Sequence, residues 1–488
     1  MSAEMADRRL DVDLLGRELG NWRTASGSGP VYQGLADGLR MLIVDGRVPI
    51  GSRLPSERTL ADTLRVSRTT VTAAYAQLRE DGYLLARRGA RATTALPTAP
   101  SQPVPAPQGA INFSAAAMSA PVAVVQGAYA AAAVEITPFL HQPGLELFGV
   151  EPLRVAIAER YCARGLPTTP DQIMVTTGAL GALSLVLSTF VEPGDRVLVE
   201  QPTFSGALSA IAAAGARAVP VAVAPDEGWD LDALHVAVRQ LAPNLAYLIP
   251  DQHNPTGLTM PAAQRHELAR IISQTRTRTV IDETMTDIWL DEPVPAPVAA
   301  AVASRPDLVL TIGSMSKSFW GGMRVGWLRA ERATLATLAA RRPSVDLGTA
   351  IVEQLAAARL LDSGDDVLIE RRDLIRRRRA LLRSLLAEQL PDWRPCGVGR
   401  PTGGLALWMR LPVPMSSALS AAASRLGLDI APGPRFGVDG TMERYIRVPY
   451  ALPEDQLRQG VSLLTQAWSQ VTGAGRDTPI LEAGAPVV

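Results

Sequence analysis

Lysine is all but missing from this chain. Of 48 basic residues only Lys317 is lysine, so the other 47 (48 − 1) are arginine. Arginine can serve wherever a fixed positive charge suffices, so the one exception implies a task for a primary amine that a guanidinium cannot perform. Cysteine is scarce as well: Cys162 and Cys396 are the only two, which excludes a disulfide scaffold and a thiolate metal cluster. The four histidines (His141, His235, His253, His266) show no metal-ligand spacing, and no metal site is expected. Net charge is absent, since 48 acids balance 48 bases; any affinity for nucleic acid must come from a local patch. Charges scattered through the first 23 residues leave no room for the apolar core of a signal peptide. The span Ser114 to Val134 lacks charge over about a membrane thickness. It is mostly alanine, broken by Pro121, Gln126 and Gly127, and reads as buried chain and loop. A cytoplasmic protein with no membrane partner is expected.

At 488 residues, 47% of them hydrophobic, the chain has room for two or three folded domains. Residues 95–109 divide it. "ALPTAPSQPVPAPQ" holds five prolines and no charge, the composition of a semi-rigid, extended linker. Before it lies a head, residues 1–94 with a core at 30–94; after it a body, 110–475, and a tail, 476–488. Within 30–94, ten arginines against six acids give +4, so the head is the basic part.

The head's pattern is "LPSERTLADTLRVSRTTVTAAYAQLREDGYLLARRGARATT". Ser56 reads as the cap of one helix and Ser67 as the cap of a second, which runs from about Arg68 to Glu80 and buries Val71, Ala74, Tyr75 and Leu78 at helical spacing. Asp81-Gly82 ends it, and "YLLARRGARATT" reads as strand, turn, strand. A helix-turn-helix with a basic wing follows. The second helix would enter the major groove of double-stranded DNA by its first residues, Ser67, Arg68, Thr69 and Thr70. Arg68 can pair with guanine, and the hydroxyls can take phosphates. Arg58, Arg88 and the Gly89 amide suit backbone contacts.

In the body, short apolar runs alternate with helical stretches: "QIMVTTGAL", "DRVLVEQPTF", "LAYLIPDQHNPTG", "RTVIDET", "LVLTIGSMSK". This predicts an α/β fold, a mostly parallel sheet with helices on both faces. Ligands bind such sheets where the strands' carboxyl ends open into loops, and every polar motif sits at one of those ends. Lys317 can form a Schiff base with an aldehyde. Ser314, Ser316 and Arg324 suit a phosphate, and Gly178-Ala179-Leu180 at a helix start would aim N–H groups at the same anion. Asp282, closing "TVID", can keep a pyridinium nitrogen protonated. Asn254 in "HNPTG" can donate to a phenolic oxygen, and Phe204 in "EQPTF" can stack on the ring. Each motif alone is weak; together, around the one lysine, they specify pyridoxal 5′-phosphate. The arginine run Arg371–Arg379 reads as a solvated helix face.

The head resembles the GntR-type winged helix. The body is similar to the fold-type I aminotransferases, and the whole chain resembles the MocR-type regulators, which join the two. "DETMTDIWL", "SKSFWGGMRVGW" and "GPRFGVDGTMERYIRVPY" look most like the YczR-like branch. The resemblance implies a DNA-binding transcription regulator holding pyridoxal 5′-phosphate as an internal aldimine on Lys317. It further implies a homodimer, a site completed by the partner subunit, and Arg447 as the residue for an effector's carboxylate, the effector being the cofactor itself or an amino acid or amine. A working aminotransferase with a DNA-binding head is the alternative; a body without cofactor, serving only to dimerise, is a third. The aminotransferase pattern puts a tyrosine two or three residues after the strand-end aspartate, where this chain has Thr284 and Met285. Leu180 also stands where relatives often carry a polar side chain. The first departure leans toward the regulator.

Overall fold

The computed structural model describes residues 12–19, 22, 31–44, 48, 52–80, 82–85, 92–95, 110–302, 304–363, 365–397 and 403–473. Most of the proline-rich linker, the tail, and Arg88 and Gly89 of the wing lie outside the described residues.

The head is built from α1 (Val12–Leu19), α2 (Val31–Val44), α3 (Glu57–Leu64), α4 (Arg68–Glu80) and a hairpin of β1 (Leu84–Leu85) and β2 (Thr93–Thr94). Both expected caps are present. The Ser56 hydroxyl accepts the Thr59 N–H and the Ser67 hydroxyl accepts the Thr70 N–H, each at 3.1 Å, satisfying amides that a helix start leaves open. Between the two helices Arg65 takes a left-handed conformation, φ 53°, which makes the turn tight. Val71, Ala74, Tyr75 and Leu78 pack on Leu35, Leu39 and Leu60, and β1 pairs antiparallel with β2 as the wing.

The body starts with β3 (Ile111–Phe113), an extended strap from Ser114 to Pro121, α5 (Val122–Glu135) and α6 (Glu151–Ala163). Strands and helices then alternate: β4 (Ile173–Thr176), α7 (Gly178–Phe190), β5 (Arg196–Gln201), α8 (Ser205–Ala213), β6 (Arg217–Ala224), β7 (Gly228–Trp229), α9 (Leu231–Leu241), β8 (Leu245–Leu248), α10 (Ala262–Thr275), β9 (Thr279–Asp282), α11 (Val298–Ala301), β10 (Val309–Ser314), β11 (Gly326–Arg329) and α12 (Arg332–Arg341). One eight-stranded sheet results, in the order β4-β11-β10-β9-β8-β5-β6-β7. Its middle strands β10, β9, β8, β5 and β6 are parallel. β4, β8, β9 and β10 are buried at every residue, which is why they read as unbroken apolar runs.

A second lobe holds α13 (Ile351–Asp362), α14 (Asp366–Gln389), β12 (Arg394–Pro395), β13 (Ala406–Arg410), α15 (Ser416–Arg425), β14 (Leu428–Pro432), β15 (Tyr445–Pro449) and α16 (Glu454–Gly473). Its five strands form a separate sheet, β12-β13-β15-β14-β3, which the sequence pattern did not disclose: they are short and one comes from far upstream. β3 pairs parallel with β14, so the first chain past the linker is woven into this lobe.

Two expectations are corrected. The uncharged span from Ser114 is not buried loop. It is the strap followed by α5, which packs through Val125, Ala128 and Ala132 and leaves Val122 and Val134 exposed. Val122–His141 is long and apolar enough to cross a membrane by length and composition, although 17% of that window is buried. The arginine run is not a solvated face either. Arg371 and Arg372 are buried and four side chains donate to backbone carbonyls: Arg371 to Ser119, Arg372 to Asp287, Arg376 to Leu290 and Arg378 to Ala451. Arg372 also lies 4.4 Å over the Trp289 ring. Long aliphatic stems let these residues count as core while their heads find acceptors, a pairing no charge pattern reveals.

Candidate functional site

β10 ends at Ser314 and runs into a wide π-type turn, Ser316–Trp320, a distortion that often marks functional positions. The turn carries Lys317, whose Nζ donates to the Ala116 carbonyl of the strap at 2.7 Å. Burial, and next the Arg447 charge, push the Lys317 ammonium down to about 8, with Asp282 opposing. The amine is thus held near the point where it becomes a nucleophile.

Asp282 closes β9 and is buried. Its Oδ1 accepts the Thr284 N–H at 2.8 Å and its Oδ2 the Tyr247 hydroxyl at 2.5 Å. Burial raises its carboxyl above the usual range while those donors counteract the rise. Tyr247 was missed from the sequence; a lone hydroxyl in the apolar strand β8 was the available signal, since buried hydroxyls seek partners. Where the aminotransferase pattern has a tyrosine, Thr284 engages Asp282 and Met285 is buried.

The anion end lies where β4 passes into α7. Gly178 has φ +72°, and a Cβ there would sit 2.7 Å from Arg324 Nη2. Gly326 faces it; its added Cβ would fall 2.6 Å from the Ala179 nitrogen. The two glycines let Arg324 and the start of α7 approach one spot. Arg324 is exposed and donates only weakly, to the Thr177 carbonyl at 3.3 Å. The Ser314 and Ser316 hydroxyls are 2.9 Å apart. Leu180 is exposed and offers nothing but its backbone.

Phe204 precedes α8, and Gly206 leaves room for its ring: a Cβ there would meet Phe204 Cζ at 2.4 Å. Asn254 Oδ1 accepts Arg447 Nη1 at 3.1 Å, which leaves its amide N–H groups to donate elsewhere. Arg447, from β15, is buried; its Nη2 donates to the Ser114 carbonyl and its Nε has no partner. Burial, then the charge of Arg435, lower the Arg447 guanidinium to about 10. The charges of Arg447, Asp282 and Arg324 all reach the Lys317 amine, so side chains predicted from separate segments of the sequence lie around it. The chemistry of this donor set fits pyridoxal 5′-phosphate: a cationic cradle at one end, a buried carboxylate at the other, an amine between them.

In the head, Ser67, Arg68, Thr69 and Thr70 form the exposed start of α4, with Thr70 half-buried. The Ser67 hydroxyl bonds those of Thr69 and Thr70 at 2.7 and 2.8 Å. Arg68, 71% exposed, reaches toward Glu57 at 3.8 Å, too far to immobilise it. Arg58 is exposed on α3.

Comparison with known proteins agrees with both halves. Residues 144–464 match the model of aminotransferase class I and II, and residues 31–93 that of the bacterial regulatory proteins of the gntR family. YdcR of Escherichia coli K12, named as an uncharacterized HTH-type transcriptional regulator, is 32% identical over 454 residues, 85% of this chain and 94% of that protein. YisV of Bacillus subtilis 168, named likewise, is 26% identical over 471 residues, 89% and 95% of the two. Among solved structures, LysN, the alpha-aminoadipate aminotransferase of Thermus thermophilus complexed with N-(5'-phosphopyridoxyl)-L-leucine, superposes with a TM-score of 0.68 at 28% identity, over 75% of this chain and 94% of that one.

Proposed function

The chain belongs to the aminotransferase class I and II family and carries a GntR-type DNA-binding head, and from that premise we propose how its pyridoxal 5′-phosphate-dependent regulation works. Lys317 holds the cofactor covalently, Asp282 receives its ring nitrogen, Asn254 its phenolic oxygen and Phe204 its face. Gly178, Ala179, Leu180, Ser314, Ser316 and Arg324 take its phosphate. When bound, the cofactor supplies an aldehyde carbon and an electron-withdrawing ring; everything else is done by the chain. Arg447 takes the carboxylate of an amino-compound effector.

One observation carries the regulatory reading. The two cationic groups that would grip cofactor and effector both donate to the same short strap: Lys317 to Ala116 and Arg447 to Ser114. That strap continues directly from β3, the first element past the linker. Occupying the site takes those donors from both carbonyls and so repositions the strap; β3, held against β14, lies between strap and linker and passes the displacement on toward the DNA-binding head. A ligand shifts such an equilibrium only by its differential affinity for the two arrangements.

A homodimer fits the surface. Exposed Leu145, Phe148, Val345 and Leu347 lie on adjoining segments beside edge strand β4, and exposed Leu180 lies at the start of the helix that follows it: a Cβ on Gly348 would meet the Glu146 carbonyl at 2.8 Å, and the Val175 N–H of β4 bonds the Phe148 carbonyl at 2.9 Å. An apolar rim of this kind is what a second copy would cover. Binding of the upstream intergenic DNA, measured by anisotropy with and without pyridoxal 5′-phosphate and amino acids, tests the whole reading. Affinity should change with the cofactor in the wild type and not in Lys317→Ala. Steady turnover of an amino acid with a keto acid, with DNA affinity indifferent to both, would favour the aminotransferase instead.

A further inference from the structure

Arg447 is not the only guanidinium at the effector end of the site. Strand β14 leads into a tight turn, Gly433–Phe436, and places Arg435 immediately before Phe436, whose ring lies 4.8 Å from the Arg447 guanidinium. The turn is fixed against the connection from β5 to α8 that carries Phe204: the Phe436 carbonyl accepts the Thr203 N–H at 2.8 Å, and the Val438 N–H reaches Gln201 Oε1 at 3.1 Å. Arg435 is exposed, and among the described residues it makes no hydrogen bond or ion pair. Its charge is close enough to Arg447 to disfavour that residue's cationic form. Among the described residues no acidic side chain is bonded to either guanidinium, and Asp282 is committed to Tyr247 and Thr284. Of Arg447's own donors, Nη1 is used on Asn254, Nη2 is lent to a neutral carbonyl, and Nε is buried without a partner. The Nε–H and one Nη2–H lie in the guanidinium plane along the same edge and make a two-toothed fork for a carboxylate.

Resting on the cofactor reading above, we infer that the effector is an amino compound with two anionic groups, an acidic amino acid, with Arg447 taking one carboxylate and Arg435 the other. The first carboxylate fills the Nε/Nη2 fork and displaces the Ser114 carbonyl. The second answers the otherwise uncompensated charge of Arg435, and together they convert a repulsive pair of cations into a neutralised site. A neutral side chain of the same shape leaves Arg435 facing water.

The test uses the full-length protein loaded with pyridoxal 5′-phosphate, whose visible absorption band is the probe. L-aspartate, L-glutamate and L-2-aminoadipate are titrated against L-asparagine, L-glutamine and L-norleucine. In the wild type at least one acid should bind about tenfold or more tightly than its neutral counterpart, the worth of one charge-assisted contact. Arg435→Gln should erase that preference, weakening the acid about tenfold while the neutral ligand stays within about threefold. Absence of any preference in the wild type overturns the inference, and so does an Arg435→Gln variant that weakens acid and neutral ligands alike. Failure of the wild type to acquire the band would instead overturn the cofactor reading, and this inference with it.

Discussion

Replacing Gly178 by alanine separates the two jobs that this glycine does. The residue sits at φ +72°, and an added Cβ would lie 2.7 Å from Arg324 Nη2 and 3.3 Å from its Cζ. The left-handed backbone costs a non-glycine residue roughly 1–2 kcal/mol, which should appear as lost stability of the apoprotein. The clash itself is relieved cheaply, because the offending atoms are the end of a flexible side chain. Relief, however, moves Arg324 off the phosphate position proposed above, which would forfeit a charge-assisted hydrogen bond of roughly 1.5–3 kcal/mol. The dissociation constant for pyridoxal 5′-phosphate should therefore rise about 10- to 100-fold. Gly165→Ala is the control, since Gly165 has φ +83° with nothing within 4 Å of its added Cβ. It should lose similar stability and keep its affinity. Titration of the visible band and urea unfolding of both variants give the two numbers. Equal affinities for Gly178→Ala and Gly165→Ala would refute the cradle.

Three other outcomes are expected. The Lys317 ammonium is lowered to about 8, so the rate of covalent cofactor capture, followed by stopped-flow absorbance, should rise with pH and level off above about 8; because the unfolded chain binds more protons between that value and the ordinary lysine range, apoprotein stability should also rise with pH across the same window, and Lys317→Met should flatten it. Arg68→Ala should weaken operator binding and relax base preference, by roughly 1–3 kcal/mol on anisotropy titration, with the cofactor band intact; loss of the band would sink the two-module picture. Arg371 carries two unpartnered buried nitrogens and one bond of 3.1 Å to Ser119, and burial lowers its guanidinium to about 10; Arg371→Met should leave the melting midpoint unchanged or raise it, whereas a loss above about 2 kcal/mol would mean the charge is well compensated.

The winged helix was legible because its signals are local. Ser56 and Ser67 cap helices through their own neighbours, and the buried face of α4 repeats at helical spacing. The parallel sheet was legible for the same reason: burial on both faces leaves runs such as "TVID" without polar interruption. The candidate site residues stood out because a lysine among arginines, a glycine able to meet an arginine and an aspartate ending a strand each have a chemical reason. What escaped depends on pairing across the chain. β3 finds β14 more than three hundred residues away, and Tyr247 meets Asp282 only because β8 and β9 are neighbours in the sheet. The arginines of α14 look like a solvated face until the carbonyls of Ser119, Asp287, Leu290 and Ala451 are brought to them.

The strap explains why neutral acceptors, and not carboxylates, face the two key cations. Had an acidic side chain held Lys317 or Arg447, the amine would stay protonated, and an incoming carboxylate would have to evict a charge of its own sign. A backbone carbonyl satisfies the donor well enough to bury it, yet yields to a carboxylate that bonds in two places. The exchange exploits the difference between a single hydrogen bond to a neutral group and a charge-assisted fork, a difference of roughly 1–3 kcal/mol. Under the coupling proposed above, that difference limits any shift in strap position, and with it in operator affinity, to about 5- to 150-fold for each cation exchanged. A regulator needs a response of that size and reversibility. Tighter gripping of the strap would suppress the response, and looser gripping would leave Arg447, already lacking a partner on Nε, buried and unsatisfied when the site is empty.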